Sequence, residues 1–414
     1  MIKVGNETLA CGLKIIYLQD KSKNRTEARM IINFGNQDAA FKLNNQEYEI
    51  KPGTAHLLEH TIIENSSIPN LVNYYQDNDI AFNGMTSNIK TIFYIKTLTN
   101  FMKHLPKFLT MVNCPVFNDN DLNKTKQAIY NEIQKNQDRT FYFYNKIKTD
   151  NIFYSSRMSN ILGSREDLQQ ITSSNLSLVH QVFYQSINQT LCLIGNFDLV
   201  KVIKLINDFY ANLNHPLIKY QLINPLITNE IKESKVNVVN DKLNESVEVV
   251  YKIDISKMTP VEQVKLTFYL SYFLKSNFGD ASLAYQEVKN KKYSVSNFNF
   301  CENSFYEKRL LIMSILLETH QIKKVTKLIL DTIKHFKLDQ EDFYLWQRKV
   351  LFNLINRNIF IDEKANTYID NIVYFDYAKE DTIQDIEHFS LNDYQNTMNS
   401  LDFTHYFILT QTKK

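Results

Sequence analysis

Short blocks of β-branched and aromatic residues alternate with longer stretches of helical periodicity along the first half of the chain. "KIIYLQD" (14–20), "ARMIINFG" (28–35) and "TIFYIKT" (91–97) read as strands, since branched and aromatic side chains suit a pleated surface. Helical spacing opens near Thr54, returns in "IPNLVNYYQDND" (68–79), and recurs at 98–112, 119–138, 173–185 and 198–211; "TLCLIGNF" (190–197) reads as a buried strand. From 212 to 230 the periodicity fades in a run with two prolines and several asparagines, the best place for a domain boundary. The expected division is therefore a domain over 1–212, a linker over 213–230 and a second domain over 231–414. That second half repeats the general order: strands near 236–240 and 245–253, a helix near 259–275, strands near 292–300 and 306–316, long helices near 321–356, and a terminal strand in "HYFILTQT" (405–412). Mixed strand and helix signals in both halves predict an α+β protein whose halves are structural duplicates without obvious shared identity.

Composition supports two packed cores. A chain of 414 residues is long for a single core, and 27 Phe and 24 Tyr supply ample apolar surface. A net charge of +2 gives no general reason to expect nucleic acid as a partner, and Lys289, Lys291 and Lys292 read as a solvated face. The first twenty residues lack the uninterrupted apolar core of a leader, and no apolar run of about 18 residues is present to span a bilayer. The expectation is a cytosolic protein with no membrane contact. Cys11, Cys114, Cys192 and Cys301 are scattered, form no C-x-x-C pair and read as buried thiols.

Chemistry concentrates in "TAHLLEHTII" (54–63). On a helix His56 and His60 share a face with Glu59 beside them, while Leu57, Leu58 and Ile62 make apolar contacts. This is H-x-x-E-H, the inverzincin arrangement, and chance would produce it in a chain of this composition roughly one time in a hundred. Its context is helical: Pro52 and Gly53 interrupt the chain, Thr54 is placed to cap, and an apolar run follows. Two histidines do not complete a catalytic zinc site, which takes three protein ligands and leaves a fourth position for water. Glu132, in "NKTKQAIYNEIQKNQDR", is the best third candidate because Ala128, Ile129 and Ile133 can bury one side of its helix. Spacing alone leaves it either a ligand or a solvent-facing helical residue. With all three, zinc would polarise a peptide carbonyl and Glu59 would act as general base, taking the proton of the metal's water and passing it to the leaving amine. No nucleophile elbow, phosphate loop or dinucleotide fingerprint competes.

These stretches resemble the pitrilysin or insulinase family of zinc peptidases, which includes the mitochondrial processing peptidase. "GTAHLLEHTIIEN" is similar to the family's metal helix, and "AFNGMTSNIKTIFYI" to its substrate strand, with Asn83, Thr86, Thr91 and Tyr94 in the expected places and Gly84 where alanine is usual. "KTKQAIYNEIQKNQD" resembles the helix of the last ligand, which puts Glu132 at that position; "ILGSREDLQQIT" and "TLCLIGNFDL" resemble the close of the first domain, and residues 278–300 the bacterial YmfH-like branch. The resemblance implies two similar domains, each a mostly antiparallel sheet with helices on one face, together half of a clamshell. It further implies a Zn2+ cofactor, a peptide held along Asn83, Gly84, Met85 and Thr86, and pairing with an identical or homologous chain to close a chamber. Two departures stand out. Seven residues before Glu132 the family commonly has a supporting glutamate and this chain has Thr125, a loss that typically costs roughly 10- to 100-fold. The substrate-closing arginine and tyrosine of the second domain are also missing, with Lys289 and Tyr293 as weak stand-ins. A member that binds a peptide or partner without cutting it is the alternative these departures imply.

Overall fold

The strands expected from branched and aromatic blocks form two main sheets of the same design. A computed structural model describes residues 3–414 apart from 138–139, 155, 214–215, 224–227, 241–243, 294–297, 307–309, 360 and 376–382. In chain order the first half contains β1 (Lys3–Thr8), β2 (Lys14–Gln19), β3 (Thr26–Ile32), β4 (Ala40–Leu43), β5 (Gln46–Glu49), α1 (Thr54–Glu64), α2 (Leu71–Asp77), β6 (Ala81–Thr86), β7 (Thr91–Thr97), α3 (Phe101–Asn113), α4 (Asp119–Gln137), α5 (Thr140–Ile152), α6 (Arg165–Gln170), α7 (Ser173–Phe183), β8 (Gln189–Gly195), α8 (Leu199–Leu213) and β9 (Gln221–Ile223). The second half contains β10 (Lys235–Val239), β11 (Ser246–Asp254), α9 (Pro260–Phe278), α10 (Leu283–Asn290), β12 (Asn299–Tyr306), β13 (Leu310–Glu318), α11 (Ile322–Lys334), α12 (Gln340–Ile359), α13 (Ile361–Phe375), α14 (Ile383–Glu387), α15 (Leu391–Asn399) and β14 (Tyr406–Thr412).

The first sheet runs β1-β2-β8-β3-β7-β6 and the second β10-β14-β11-β13-β12. Apart from β1, they correspond strand for strand. Each places its first and last strands side by side and parallel (β2 with β8, β10 with β14), and every other pairing is antiparallel. The chain is thus an α+β protein of two domains. One compact unit comprises Met1–Lys146, Ser155–Leu226 and Ile361–Ala365; the other comprises Ile147–Tyr154, Ile227–Phe360 and Asn366–Lys414. Between 213 and 230, where a linker was expected, Gln221–Ile223 pairs with β4 in a small sheet ordered β5-β4-β9.

Alternation fixes which sheet face meets the helices. Ala28, Met30 and Ile32 of β3, with Phe93, Ile95, Leu191 and Leu193, pack against apolar residues of α1, α3 and α7. In the second unit Val247, Val249, Tyr251 and Ile253 of β11 meet Leu266, Leu270 and Phe273 of α9 and Val325 and Ile329 of α11. The other face of β11 carries Glu248 and Lys252, both buried. Lys148 pairs with Glu248 at 3.1 Å, and Lys252 donates to the carbonyls of Ile152 and Glu230 at 2.8 and 2.7 Å. Burial pushes the Lys252 ammonium down to about 8.

The start of α1 departs from expectation. Thr54 is the first helical residue rather than its cap, and its hydroxyl donates to the Lys51 carbonyl at 2.6 Å. The cap position is Gly53, at φ +83°, with no capping side chain. Its N–H donates to Oδ1 of buried Asn36 at 3.2 Å, and the Arg157 guanidinium binds the carbonyls of Asn36 (3.0 Å), Asp38 (3.3 Å) and Ile50. Gly163, at φ +73°, lies against Gly53, so a Cβ on either would run into the backbone of the other's loop. Helical periodicity missed α5, which is weakly amphipathic, α6, α10, α14 and α15, which are short, and the longer α13. Cys192 is buried, whereas Cys11 and Cys114 are only half-buried; the surroundings of Cys301 lie outside the described residues. Among the described residues no helix is long and apolar enough to cross a membrane.

Gly53→Ala combines a left-handed backbone with a blocked Cβ site. Urea denaturation should show the variant destabilised by about 1–3 kcal/mol; an unchanged midpoint would mean that the two glycine loops do not fix the start of α1.

Candidate metal centre

Helix α1 is an apolar helix with one polar face. Leu57, Leu58 and Ile62 are fully buried, and so, nearly, are His56 and Glu59. The i, i+4 spacing lines up the two imidazoles, whose rings sit 4.7 Å apart edge to face. Helix α4 brings Glu132 opposite them: its Oε2 is 3.7 Å from Nε2 of His56 and 3.9 Å from Nε2 of His60. Three ligand atoms thus lie within 4.8 Å of one another, at separations too long for mutual hydrogen bonds. A tetrahedral zinc ion with bonds near 2.1 Å holds its ligand atoms about 3.4 Å apart, so small side-chain adjustments bring this set onto one ion. Two imidazoles and a carboxylate are also a donor set suited to zinc with a position left open. The residues present fit the metal.

The position of Glu132 differs from the sequence-based expectation in one respect. Ala128 is exposed, and the Glu132 side chain is itself 41% exposed, so an apolar setting is not what selects it. The buried side of α4 is formed by Leu122, Thr125, Lys126, Ile129 and Tyr130. Glu132 reaches the histidines from the rim of that packed face.

Glu59 turns away from α4 toward the edge strand β6. Thr86 donates to Glu59 Oε2 at 2.7 Å, and a Cβ at Gly84 would stand 2.5 Å from Oε1. Glycine at 84, where alanine was noted as usual, thus leaves room for the carboxylate. Of the four residues expected to hold substrate, Gly84 and Thr86 face Glu59. Asn83 and Met85, by the alternation of the strand, are exposed on the other side. Lys289 and Tyr293 lie in the second unit, Lys289 exposed at the end of α10 and Tyr293 beneath the ammonium groups of Lys291 and Lys324. Lys289, Lys291 and Lys292 are all exposed, as a solvated face requires.

The groups titrate apart. Burial, then the neighbouring His60, pushes His56 down to about 3, so it stays neutral with a lone pair available. Burial also lowers His60, but the Glu64 carboxylate beside its Nδ1 and the charges of Glu59, Glu64 and Glu132 outweigh that and hold it above its usual value. Burial raises Glu59, against the Thr86 hydrogen bond and the charge of His60. Glu64, lowered first by His60, was not singled out from sequence. Its signal was there: a charged residue one turn beyond His60, closing an apolar helix.

Two family descriptions match the chain: Insulinase (Peptidase family M16) over residues 15–155, which include α1 and α4, and Peptidase M16 inactive domain over 170–349. Between them they take in well over half of its length, and the chain belongs to the insulinase family of peptidases, family M16. It is 24% identical to the uncharacterized zinc protease YmfH of Bacillus subtilis (strain 168), over 71% of this chain and 70% of that protein. Among solved structures it is similar to an M16-like peptidase from Alicyclobacillus acidocaldarius (TM-score 0.86, 17% identity, covering 100% of this chain and 99% of that one). It is also similar to the periplasmic protease PqqL from Escherichia coli (TM-score 0.78, 14% identity, 99% of this chain, 47% of that one). The last likeness overturns the cytosolic expectation. That expectation rested on the polar interruptions in the first twenty residues and on the lack of a long apolar run, and neither fixes a compartment when a periplasmic protease shares the fold.

Because His56 is already neutral, zinc has one imidazole proton to displace, that of His60. Affinity should fall about tenfold per pH unit as pH drops below the His60 pKa, between about pH 6.5 and 5.5. Chelator-competition titrations across that range check it; a hundredfold fall per unit would mean that both histidines are protonated.

Proposed function

We propose that the chain is a zinc-dependent endopeptidase acting on peptides or small unfolded proteins, of the YmfH-like branch of its family. The observation that carries this is the convergence of His56 Nε2, His60 Nε2 and Glu132 Oε2 beside a buried carboxylate, Glu59, held against an edge strand. Zinc, when bound, supplies Lewis acidity that polarises a peptide carbonyl and acidifies water. His56, His60 and Glu132 would hold it. Glu59, its affinity for protons raised by burial, accepts a proton from the attacking water at a carboxylate oxygen and returns it to the leaving amine. Thr86, bonded to Oε2, fixes the rotamer and leaves Oε1 for that exchange. Strand β6 ends its sheet, so a peptide can add to it through backbone hydrogen bonds along Asn83–Thr86, which gives affinity without demanding one sequence.

Glu59→Gln keeps the size and hydrogen-bonding of the side chain but removes the base. Incubation of the zinc-loaded chain with a diverse peptide library should show cleavage that this variant lowers by roughly 10²- to 10⁴-fold at unchanged zinc content. Equal cleavage by both proteins would remove Glu59 from the reaction. Absence of cleavage by either, alone or with a homologous chain, would favour a member that binds without cutting.

Pairing with an identical or homologous chain belongs to the same reading. Its support is that this chain spans 47% of PqqL and is similar to that protein's first half at a TM-score of 0.77, leaving room there for a second such unit. Light scattering at micromolar concentration should give a mass about twice that of one chain, or do so on mixing with the partner. A monomer cleaving at full rate without a partner would overturn it.

A further inference from the structure

A histidine that binds a metal through Nε2 carries its remaining proton on Nδ1, and the acceptor for that proton sets the tautomer, the ring orientation and the basicity of the ligand. At His60 the Nε2 side faces Glu132 and the Nδ1 side faces Glu64, whose Oε1 is 3.6 Å away. The other oxygen of Glu64, Oε2, accepts a 2.7 Å hydrogen bond from the hydroxyl of Thr125. Thr125 is 1% exposed and sits two turns before Glu132 on α4. At His56, by contrast, Nδ1 is buried without a hydrogen-bond partner among the described residues. Only one of the two imidazoles has a carboxylate behind it.

Resting on the zinc site proposed above, we infer that Glu64 is the positioning residue for His60 and that Thr125 positions Glu64. Helix α4 then serves the metal twice, through Glu132 as a ligand and through the Thr125 hydroxyl, which ties the end of α1 to the same helix. The geometry gives Thr125 a purpose that its residue type conceals. With a carboxylate already at 64, a second one at 125 would stand within hydrogen-bond distance of it and repel it, whereas a hydroxyl donates to Oε2 and turns Oε1 toward the imidazole. Positions 64 and 125 therefore take one carboxylate between them, here carried on α1.

The test is zinc affinity of the full chain by competition with a fluorescent chelator, with circular dichroism verifying that each variant is folded. Glu64→Gln should weaken zinc binding roughly 10- to 100-fold. Thr125→Val should weaken it less, roughly three- to tenfold, and Thr125→Ser, which keeps the hydroxyl, should restore wild-type affinity. Thr125→Glu should weaken binding in the wild-type background yet recover affinity in the Glu64→Gln background. That reversal of sign is something a merely structural role for either residue would not produce. A folded Glu64→Gln chain with wild-type affinity overturns the inference, as does Thr125→Glu acting in the same direction in both backgrounds. If Glu64→Gln does not fold, the Thr125→Val and Thr125→Ser pair decides: equal affinities overturn it. A wild-type chain that binds no zinc removes the metal site itself, an outcome distinct from these.

Discussion

The site depends on a helix that carries charge through a core. Residues 54–62 of α1 are almost entirely buried, yet they include two imidazoles and a carboxylate, groups that cost several kcal/mol each to bury without partners. The polar groups face others across short gaps: Glu132 of α4 stands opposite both histidines, Thr86 of β6 donates to Glu59, and Glu64, one turn on in α1 itself, lies beside His60. Such a helix cannot slide or rotate without orphaning several of these groups at once. Its first turn is accordingly fixed by backbone, where Gly53 and Gly163 meet in left-handed conformations, Asn36 accepts the Gly53 N–H and Arg157 binds the surrounding carbonyls. The position of every polar side chain of α1 follows from that fixed start.

The same arrangement sorts the two histidines. His56 is the more deeply buried and stays neutral, whereas His60, at the rim with three carboxylates around it, holds its proton more tightly than a free imidazole. Glu59 lies on the opposite side, against β6, close to the His56–His60–Glu132 cluster but turned away from it. Gly84 is what permits that placement, since a Cβ there would crowd Oε1.

Much of this was legible in the chain because the strongest signals were the local ones. "TIFYIKT" became β7 with its exact register of buried and half-buried positions, and H-x-x-E-H could only present two imidazoles on one face if helical. What sequence could not supply were distances between elements. Glu132 was reached by spacing and resemblance, but the reason first given, a carboxylate buried among Ala128, Ile129 and Ile133, fails because Ala128 is exposed and the carboxylate is at a rim. Thr125 read as a loss because its partner, Glu64, lies 61 residues away and meets it only after α1 and α4 pack. Thr54 read as a cap because threonine before an apolar run usually is one, and the tertiary contacts of Gly53 override that preference. Short helices such as α6 and α10 carry too few turns for periodicity to register.

The second half repeats the frame without an H-x-x-E-H motif. Its strands repeat the order of the first, with α9 following β11 as α1 follows β3. Where α1 turns histidines and glutamates toward α4 and β6, α9 turns Tyr269, Tyr272 and Phe273 into a cluster with Phe343, Trp346 and Tyr394. Helix α9 also begins with a local device absent from α1, a capping box between Thr259 and Glu262 with Pro260 at the first helical position. A helix that only packs can be started by its own sequence. A helix that must aim three polar side chains at two other elements needs its origin set by the rest of the domain, and the glycine contact at 53 and 163 is how this chain does it.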